Sequence, residues 1–348
     1  MITDEMNEAV IAQRLAVLRD GMALHDHETP APTMPEKITK NRLIRPCADH
    51  LESWIAWAQD DANHYTLGMP ELDVKLRGFR PGEFVLLQGF SQSGKSQVLL
   101  NAVLHHLDRP FLWVTYDEAE EMVVAKLVAL ILNDSTARLE EGVKSQDDTI
   151  MRLLRETALE KLQNFYVMNE PVGLGGIDRA VKEVEDTCGQ QVAAVSIDYL
   201  SLIPQMKGED ERSKAIEMKG WVSSQRCPVF VIHQNTRGGG GPGEPVTMTS
   251  GRQGGEDAAT TIIGARRKRD WRDMEDHERN AHQNTISISI VKNKRTSWVG
   301  EFDFYMNPLN GMILPRNMDP DWIHVEPVQI GNPNPYTSVR DVVNRVQS

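Results

Sequence analysis

The chain has 348 residues and a mass of 39.2 kDa, and its hydrophobic content of 40% leaves room for one full α/β core with a smaller appendage. The formal net charge of −12 argues against the broad basic surface that nucleic-acid-binding proteins usually show, so any DNA contact must be local. The sequence holds no apolar run of the length that a membrane span needs and starts with acids rather than the bases of a secretory signal, which predicts a cytoplasmic protein.

The N-terminal region is predicted to be a short helical arm. Residues 2–20 place apolar side chains at roughly helical spacing, and the turn-prone residues 25–35 predict a linker. A second helix is expected over Ala48–Asp60, where Trp54 and Trp57 broaden an apolar stripe. Two tryptophans on so short a helix need a covering surface. The chain's own core and a neighbouring subunit are both open as that surface.

The strongest motif is GFSQSGKS, which runs from Gly89 to Ser96 with two glycines four residues apart and then Lys-Ser. A buried strand is predicted before it, over Glu83–Gln88, and a helix after it, over Lys95–Leu107. In such a turn the backbone N–H groups and the helix N-terminus surround a phosphate chain. Lys95 would reach the β and γ oxygens, and the Ser96 hydroxyl would ligate Mg²⁺. An ordinary glycine-rich turn is the alternative.

The residues expected to bind the nucleotide are those of the motif and its immediate flank. They are Gly89, Ser91, Gln92, Ser93, Gly94, Lys95, Ser96 and Gln97. Because these residues follow one strand and open one helix, the sequence predicts a phosphate site at the edge of a sheet.

A pair of acids follows the next predicted strand, Phe111–Tyr116, and a helix continues from them to Leu132. Acids at the tip of a strand beside a P-loop strand lie near the phosphates, so either Asp117 or Glu118 is a candidate to orient the attacking water. The alternative is that Asp117 caps the helix and Glu118 is an acid of its first turn.

A third strand tip carries the candidate metal ligand. After an amphipathic helix over Thr149–Leu162, a strand over Asn164–Asn169 and a helix over Ile177–Thr187, the apolar run Gln191–Leu200 predicts a buried strand that presents Asp198. Many core strands end in aspartate, but downstream of a P-loop this pattern indicates a carboxylate in the Mg²⁺ shell.

A fourth strand tip, after a helix over Ser213–Ser224 and a strand over Pro228–His233, carries a polar group that begins at Gln234. This group is expected to sense the γ-phosphate and to pass the signal to the loop beyond it. That loop, Gly238–Asp257, is rich in glycine, and long loops of this kind within compact domains are more often functional than not.

The last part of the chain predicts strands and a tail. A strand over Ala259–Ala265 precedes the basic run Arg266–Arg269, for which a solvated face and a nucleic-acid contact are both open. The β-branched stretch Thr285–Tyr305 predicts a hairpin with the Lys292–Arg295 cluster toward its tip. The tail, residues 316–348, is rich in Pro and Asn.

The order of these motifs resembles the DnaB-like replicative helicases, a hexameric branch of the RecA-fold ATPases, and especially their compact phage versions. The similarity spans about Gly68–Leu314 and rests on GFSQSGKS, TYDEAEE, SIDYLSLI, VFVIHQNTR, TSGRQGGEDAATTIIGARR and VKNKRTSWVGEFDFYMNPLNGMI. It implies an α/β fold, in which a RecA-like P-loop NTPase core has a twisted, mostly parallel sheet flanked by helices, plus a short helical N-terminal arm. The expected domains are the arm and linker, 1–65, the ATPase and helicase core, 66–315, and the tail, 316–348.

The resemblance also implies an activity: ATP-dependent translocation on single-stranded DNA with duplex unwinding, driven by Mg²⁺-dependent NTP hydrolysis at the subunit interfaces of a homo-hexameric ring. Asp117 falls where the family has its catalytic glutamate, but the residue here is Asp, so Glu118 is the alternative. Gln234 corresponds to the γ-phosphate sensor. Arg295 matches the arginine finger that reaches a neighbour's nucleotide, and Lys292 or Lys294 stands in for its companion lysine.

Loops after Ile203 and Arg237 are expected to face a central pore. The candidate DNA contacts are Lys207, Arg212, Lys214, Arg237 and Arg252. The helix over Ala48–Asp60 lies where the family places a linker helix that docks on the adjacent subunit. A recombinase filament with the same fold and a non-motor ATP-dependent switch remain the alternative functions.

Overall fold

Alternate residues of the central strands are buried on opposite faces of one nine-stranded sheet in the computed structural model. The structure describes residues 46–59, 64–204, 211–235, 241–248, 250 and 255–318, with the side chains of residues 211, 212, 255 and 318 left out. The two predicted helices at residues 2–20 and in the C-terminal tail therefore lie outside the described residues.

The sheet combines a parallel and an antiparallel part. Its order is β3-β2-β4-β5-β1-β6-β7-β8-β9, in which β3 to β6 of that order run parallel and β7, β8 and β9 are antiparallel. The strands are β1 (Phe84–Gly89), β2 (Phe111–Thr115), β3 (Phe165–Met168), β4 (Ala194–Asp198), β5 (Val229–Gln234), β6 (Thr261–Arg266), β7 (Thr285–Asn293), β8 (Gly300–Met306) and β9 (Ile313–Pro315). The predicted twisted, mostly parallel α/β core is thus confirmed.

Helices connect the parallel strands, as parallel pairing requires. They are α1 (Leu51–Gln59), α2 (Pro70–Leu76), α3 (Lys95–Leu104), α4 (Glu120–Leu132), α5 (Thr136–Lys144), α6 (Asp148–Leu153), α7 (Leu159–Lys161), α8 (Leu174–Cys188), α9 (Glu211–Ser224), α10 (Gly255–Ala258) and α11 (Asp276–Ala281). A π turn over Leu154–Ala158 joins α6 to α7, so the predicted helix Thr149–Leu162 is interrupted. None of the helices in the described part of the chain has the length and apolar character of a membrane crossing.

The two sides of the sheet are two separate apolar cores. On β1, Val85 and Leu87 face one core with α3 and α4, whereas Phe84 and Leu86 face the other with α8 and α9. Strands buried on both faces read as continuous apolar runs, which is why the sequence revealed them without showing an alternation. Trp113 on β2 is 1% exposed and belongs to the first core.

The described chain divides into two compact units, Met1–Gln59 and Asp60–Ser348. In the first unit, α1 leaves Leu51, Trp54 and Trp57 exposed, with Trp54 at 59%. The second unit contains the entire sheet. The expected boundary between residues 65 and 66 stays a prediction.

A partly buried histidine makes the second unit sensitive to acid. The backbone N–H of Thr66 donates to Nε2 of His106 at 3.1 Å, and the Tyr65 ring lies 4.2 Å from the imidazole, centroid to centroid. Burial, helped by the nearby Arg109 cation, lowers the pKa of His106 to about 3. The folded state therefore holds the neutral ring, which accepts the Thr66 hydrogen bond.

Because the unfolded chain binds a proton on this histidine below its usual pKa of about 6.5, stability should be lost as the pH falls from there toward about 3. Between about pH 7.5 and about pH 5 we expect a loss of about 1–2 kcal/mol in the free energy of unfolding. Urea unfolding at both pH values measures it. His106→Gln should remove this part of the pH dependence, whereas His277→Gln, at an exposed histidine, should leave it. Equal pH dependence in the wild type and His106→Gln would contradict the assignment.

Candidate active site

The loop between β1 and α3 has a backbone that its glycines permit. A Cβ on Gly89 would lie 2.4 Å from the carbonyl oxygen of Ala265, closer than any real Cβ approaches. Gly94, the N-cap of α3, has a φ of +96°, where a side chain is strained. The predicted strand, glycine turn and helix are therefore all present, and the turn aims its N–H groups at the space before α3.

Lys95 is the first residue of α3 and is buried. Its Nζ donates to the carbonyl oxygens of Gly89 at 3.0 Å and of Phe90 at 2.6 Å. Burial lowers the pKa of Lys95 to about 8, and the carboxylate of Asp198 opposes this shift. A buried ammonium held by neutral carbonyls is stabilised further by an anion, so this side chain is suited to phosphate oxygens.

Asp198 ends β4, is 7% exposed, and accepts a hydrogen bond from Oγ of Ser96 at 2.9 Å on Oδ2. Burial raises the pKa of Asp198 to about 6, and the charges of Glu118 and Asp117 act in the same direction against the Ser96 hydrogen bond and Lys95. A nearby cation would reverse this shift.

The Ser96 hydroxyl and the Asp198 carboxylate are hard oxygen donors of the kind that Mg²⁺ prefers. Among the described residues, no group of three or more His, Cys, Asp or Glu side chains could hold a metal. A cation at this pair would take its other ligands from phosphate oxygens and water, which is how Mg²⁺ usually binds. The residues present thus fit a nucleotide-bound Mg²⁺ ion.

A cleft of about 360 Å³ opens over the carboxyl ends of β1, β2, β4 and β5. It is lined by Ser91, Gln92, Gly94, Lys95, Ser96, Gln97, Asp117, Glu118, Lys126, Asp198, Tyr199, Ile232, Gln234 and Met306. The cleft thus gathers six of the eight residues expected to bind the nucleotide. Ser93 is buried beneath the loop, and Gly89 shapes the loop from below without lining the cleft.

The two candidate carboxylates that follow β2 differ in their surroundings. The Thr115 hydroxyl donates to the Glu118 carbonyl at 2.9 Å and accepts from its N–H at 3.1 Å, which fixes the turn. Both carboxylate oxygens of Glu118 accept hydrogen bonds from Nζ of Lys126 at 2.6 Å. Asp117 is exposed. Both acids line the cleft, as the sequence predicted, but only the structure distinguishes their partners.

Gln234 ends β5 and is exposed at the cleft. In the sheet register it lies opposite Gly89, and the next residue, Asn235, donates its N–H to the Gly89 carbonyl at 3.0 Å. The sensor candidate is therefore tied to the first glycine of the phosphate loop. A displacement of the loop would be felt at the start of the segment that follows β5.

Comparison with known families assigns the chain on this basis. The family model described as DnaB-like helicase C terminal domain matches residues 65–307, well over half of the chain. The chain belongs to this family. No similar sequence was found among curated proteins.

Two solved structures share the fold. A DnaB-like ATPase domain aligns with a TM-score of 0.65 and 15% identity over 77% of this chain and 97% of its own. A DnaB-like replicative helicase, whose structure was reported with its interactions with primase, aligns with a TM-score of 0.63 and 15% identity over 78% of this chain and 67% of its own. The RecA-like core expected of a DnaB-like protein is therefore shown.

The DnaB-like arginine-finger candidate lies outside the cleft lining. Arg295 follows β7, and its guanidinium donates to the carbonyl oxygens of Leu76 and Gly78 and lies 3.4 Å from Oε1 of Glu83. Its candidate companion Lys292 donates to the carbonyl oxygens of Glu256 and Asp257, while Lys294 is exposed. Within one chain, Arg295 thus binds the approach to β1.

The candidate DNA contacts are placed unevenly. Lys207, Arg237 and Arg252 lie outside the described residues, and so does the side chain of Arg212, although its backbone belongs to α9. Lys214 is buried, and its Nζ donates to the carbonyl oxygens of Ser201 at 2.9 Å and Ile203 at 2.5 Å. In this arrangement Lys214 holds the turn after β4, and direct contact with DNA would require it to leave both carbonyls.

The basic run Arg266–Arg269 is neither a solvated face nor a free DNA-binding patch. Arg266 forms a bidentate pair with Glu301, at 2.6 and 2.9 Å, and Lys268 binds Oδ2 of Asp303 at 2.6 Å. The guanidiniums of Arg267 and Arg269 donate to the carbonyl oxygen of Gln283 at 3.0 and 3.1 Å. The run therefore stabilises the antiparallel edge of the sheet.

Sequence reasoning missed four residues of the cleft, and they differ in how visible they were. Ile232 is two residues before Gln234 on β5, so the period of a strand could have placed both on one face. Tyr199 directly follows Asp198. Lys126 lies eight residues after Glu118 on a helix, about two turns further along, which is a weak signal. Met306 comes from β8, and no local pattern connects it to the cleft.

Proposed function

We propose that this DnaB-like chain is an Mg²⁺-dependent ATPase that moves on single-stranded DNA and unwinds duplex DNA as a homo-hexameric ring. The proposal rests above all on one observation. Lys95, Ser96, Asp198, Gln234 and the acids after β2 come from four strand ends distant in sequence and converge on a single cleft. This set contains a phosphate-binding lysine, two metal ligands, a carboxylate and a polar sensor, which together suffice for phosphoryl transfer to water.

The residues divide the work as follows. The N–H groups of the loop and Lys95 hold the phosphate chain, so that the γ-phosphate is fixed relative to the strand ends. Ser96 and Asp198 hold Mg²⁺, which neutralises charge on the phosphate oxygens when bound. A carboxylate after β2 orients the attacking water toward the γ-phosphate. Gln234 contacts the γ-phosphate and transmits its loss to the segment beyond β5.

The site is proposed to be completed by a neighbouring subunit. Arg295 does not line the cleft of its own chain, so its guanidinium would act on the nucleotide of the adjacent subunit. A head-to-tail contact of this kind closes into a ring when the rotation between subunits allows it. Hydrolysis would then require assembly.

Helix α1 supports assembly through its exposed apolar side chains Leu51, Trp54 and Trp57. We place it on a neighbouring subunit, in an apolar groove of about 630 Å³ that α4, α5 and the π turn form, with Val128, Leu139 and Val143 in its lining. The acids Glu120, Glu121 and Glu140 surround this groove. An apolar floor with a polar rim is the usual form of a protein-binding surface.

The DNA-binding surface is proposed to be local, because the net charge of −12 does not favour a basic exterior. The candidates Lys207, Arg212, Arg237 and Arg252 belong to the segments after β4 and β5. Both strands end at the cleft, so those segments would couple the state of the nucleotide to DNA.

The decisive measurement is the rate of ATP hydrolysis with Mg²⁺, with and without single-stranded DNA, combined with native mass spectrometry and unwinding of a forked duplex. We expect hydrolysis to rise with single-stranded DNA, a hexameric mass, and unwinding that stops when EDTA removes Mg²⁺. A hydrolysis rate that DNA does not change would instead indicate a non-motor switch. Assemblies whose length grows with protein concentration would indicate a recombinase filament.

A further inference from the structure

The cleft contains a second lysine that the proposed mechanism does not use. Among the described residues that line it, the basic side chains are Lys95 and Lys126, and the acidic ones are Asp117, Glu118 and Asp198. Lys126 comes from the middle of α4, a different element from the phosphate loop. Its position in the cleft calls for an account of the charge that it meets there.

Lys126 is fully engaged with one carboxylate. Its Nζ lies 2.6 Å from each oxygen of Glu118, and the side chains are 32% and 27% exposed, so this pair is partly shielded from water. The Glu118 backbone is held independently by the Thr115 hydroxyl, and its carbonyl also accepts from Nδ2 of Asn169 at 3.3 Å. Glu118 is thus clamped at both its main chain and its carboxylate.

Asp117 contrasts with this neighbour. It is exposed at the same cleft and makes no side-chain hydrogen bond or ion pair with any described residue. A carboxylate without a cationic partner keeps its lone pairs available to water, whereas a carboxylate that accepts from an ammonium on both oxygens is a weaker base.

The incoming ligand makes this difference important. A nucleoside triphosphate adds several negative charges to a cleft that already holds three carboxylates. Asp198 is offset by the metal ion and Glu118 by Lys126, which leaves the charge of Asp117 available for the attacking water. Without Lys126, Glu118 would repel the phosphates.

We infer that Lys126 is a positioning residue that neutralises Glu118 and so leaves Asp117 as the carboxylate that orients the attacking water. This inference rests on the proposed nucleotide hydrolysis. It assigns Glu118 to the support of the cleft and explains how an aspartate can serve next to a longer acid. It also gives two lysines of one cleft different tasks: Lys95 binds phosphate, and Lys126 compensates a protein charge.

The first test measures binding, which needs no hydrolysis. Calorimetric titration with the slowly hydrolysed analogue ATPγS and Mg²⁺ should show that Lys126→Met raises Kd about tenfold or more, because an unpaired charge then faces the phosphates. Lys126→Arg keeps a cation and should bind close to the wild type. The double variant Lys126→Met/Glu118→Gln should recover most of the lost affinity. A lysine that only packs against its helix would not be rescued by Glu118→Gln.

The second test separates the two acids by kcat. Asp117→Asn should lower kcat about a hundredfold or more while the ATPγS Kd changes little, since an isosteric amide keeps the shape of the cleft. Glu118→Gln should lose at least tenfold less in kcat than Asp117→Asn. The reverse order of the two losses would overturn the inference and make Glu118 the residue that orients water.

The outcomes distinguish this inference from the function on which it rests. A wild-type chain that binds no ATPγS and hydrolyses no ATP would overturn both. A wild type that binds and hydrolyses, together with a Lys126→Met defect that Glu118→Gln leaves unrepaired, would overturn the role of Lys126 alone. Circular dichroism of each variant checks that the fold is retained.

Discussion

Lys95→Ala is expected to abolish nucleotide hydrolysis, with a loss of about 10³-fold or more in kcat/KM. The side chain is the first residue of α3, and its ammonium lies against the loop carbonyls of Gly89 and Phe90, where the phosphate chain would compete for it. Its replacement removes the charge that the β and γ oxygens need in the transition state. Steady-state ATPase rates over a range of ATP concentrations measure the loss.

Unfolding should not account for this result. Burial already disfavours the ammonium in the folded state, since it lowers the pKa of Lys95 to about 8. The melting temperature of Lys95→Ala is therefore expected to stay close to that of the wild type or to rise. If Lys95→Ala kept full activity with an unchanged melting temperature, the cleft over the strand ends would not be the site of hydrolysis.

Arg295→Ala is expected to abolish hydrolysis by about 10³-fold or more while each subunit still binds nucleotide. The reason is positional. Arg295 is absent from the lining of its own cleft, so it can act on a nucleotide only across a subunit interface. Its present partners are the carbonyl oxygens of Leu76 and Gly78 and the carboxylate of Glu83, which assembly would have to displace.

Mixing two inactive variants gives the sharpest test. In a ring formed from equal amounts of Lys95→Ala and Arg295→Ala subunits, about a quarter of the interfaces would join an intact Lys95 to an intact Arg295 from the next subunit. We expect hydrolysis to reappear in the mixture. Its failure to reappear, with native mass spectrometry showing mixed rings, would mean that Arg295 does not act between subunits.

Glu83→Gln serves as the matched control for Arg295. This change removes the ion pair, at 3.4 Å, but keeps the guanidinium. Hydrolysis should be largely retained in Glu83→Gln if Arg295 is a finger. If Arg295 only ties the turn after β7 to the approach to β1, both variants would lower the melting temperature, and neither would abolish hydrolysis.

Much of the cleft could be predicted because its chemistry is local. The glycine turn, the helix that starts at Lys95 and the strand that ends at Asp198 are each contained in a short window. Buried parallel strands also announce themselves as apolar runs bounded by turns. For the same reason the sequence could place Gln234 and the acids after β2 at strand ends without knowledge of their neighbours.

Other features depended on partners far along the chain. The basic run Arg266–Arg269 resembled an exposed patch until Glu301, Asp303 and the Gln283 carbonyl were seen to bind it. Lys214 looked available for DNA but binds two carbonyls of the turn after β4. Such contacts join residues of different elements, and the period of one helix or strand carries no information on them.

The sequence by itself determined what chemistry sits at each strand end, because glycine geometry, strand burial and helix starts are set by neighbours in the chain. Only the tertiary structure decided how these ends are arranged: β5 lies between β1 and β4, and Lys126 rather than solvent faces Glu118. The physical reason is that the central strands present nearly the same apolar pattern, so strand order and charge pairing are selected by the sum of long-range contacts.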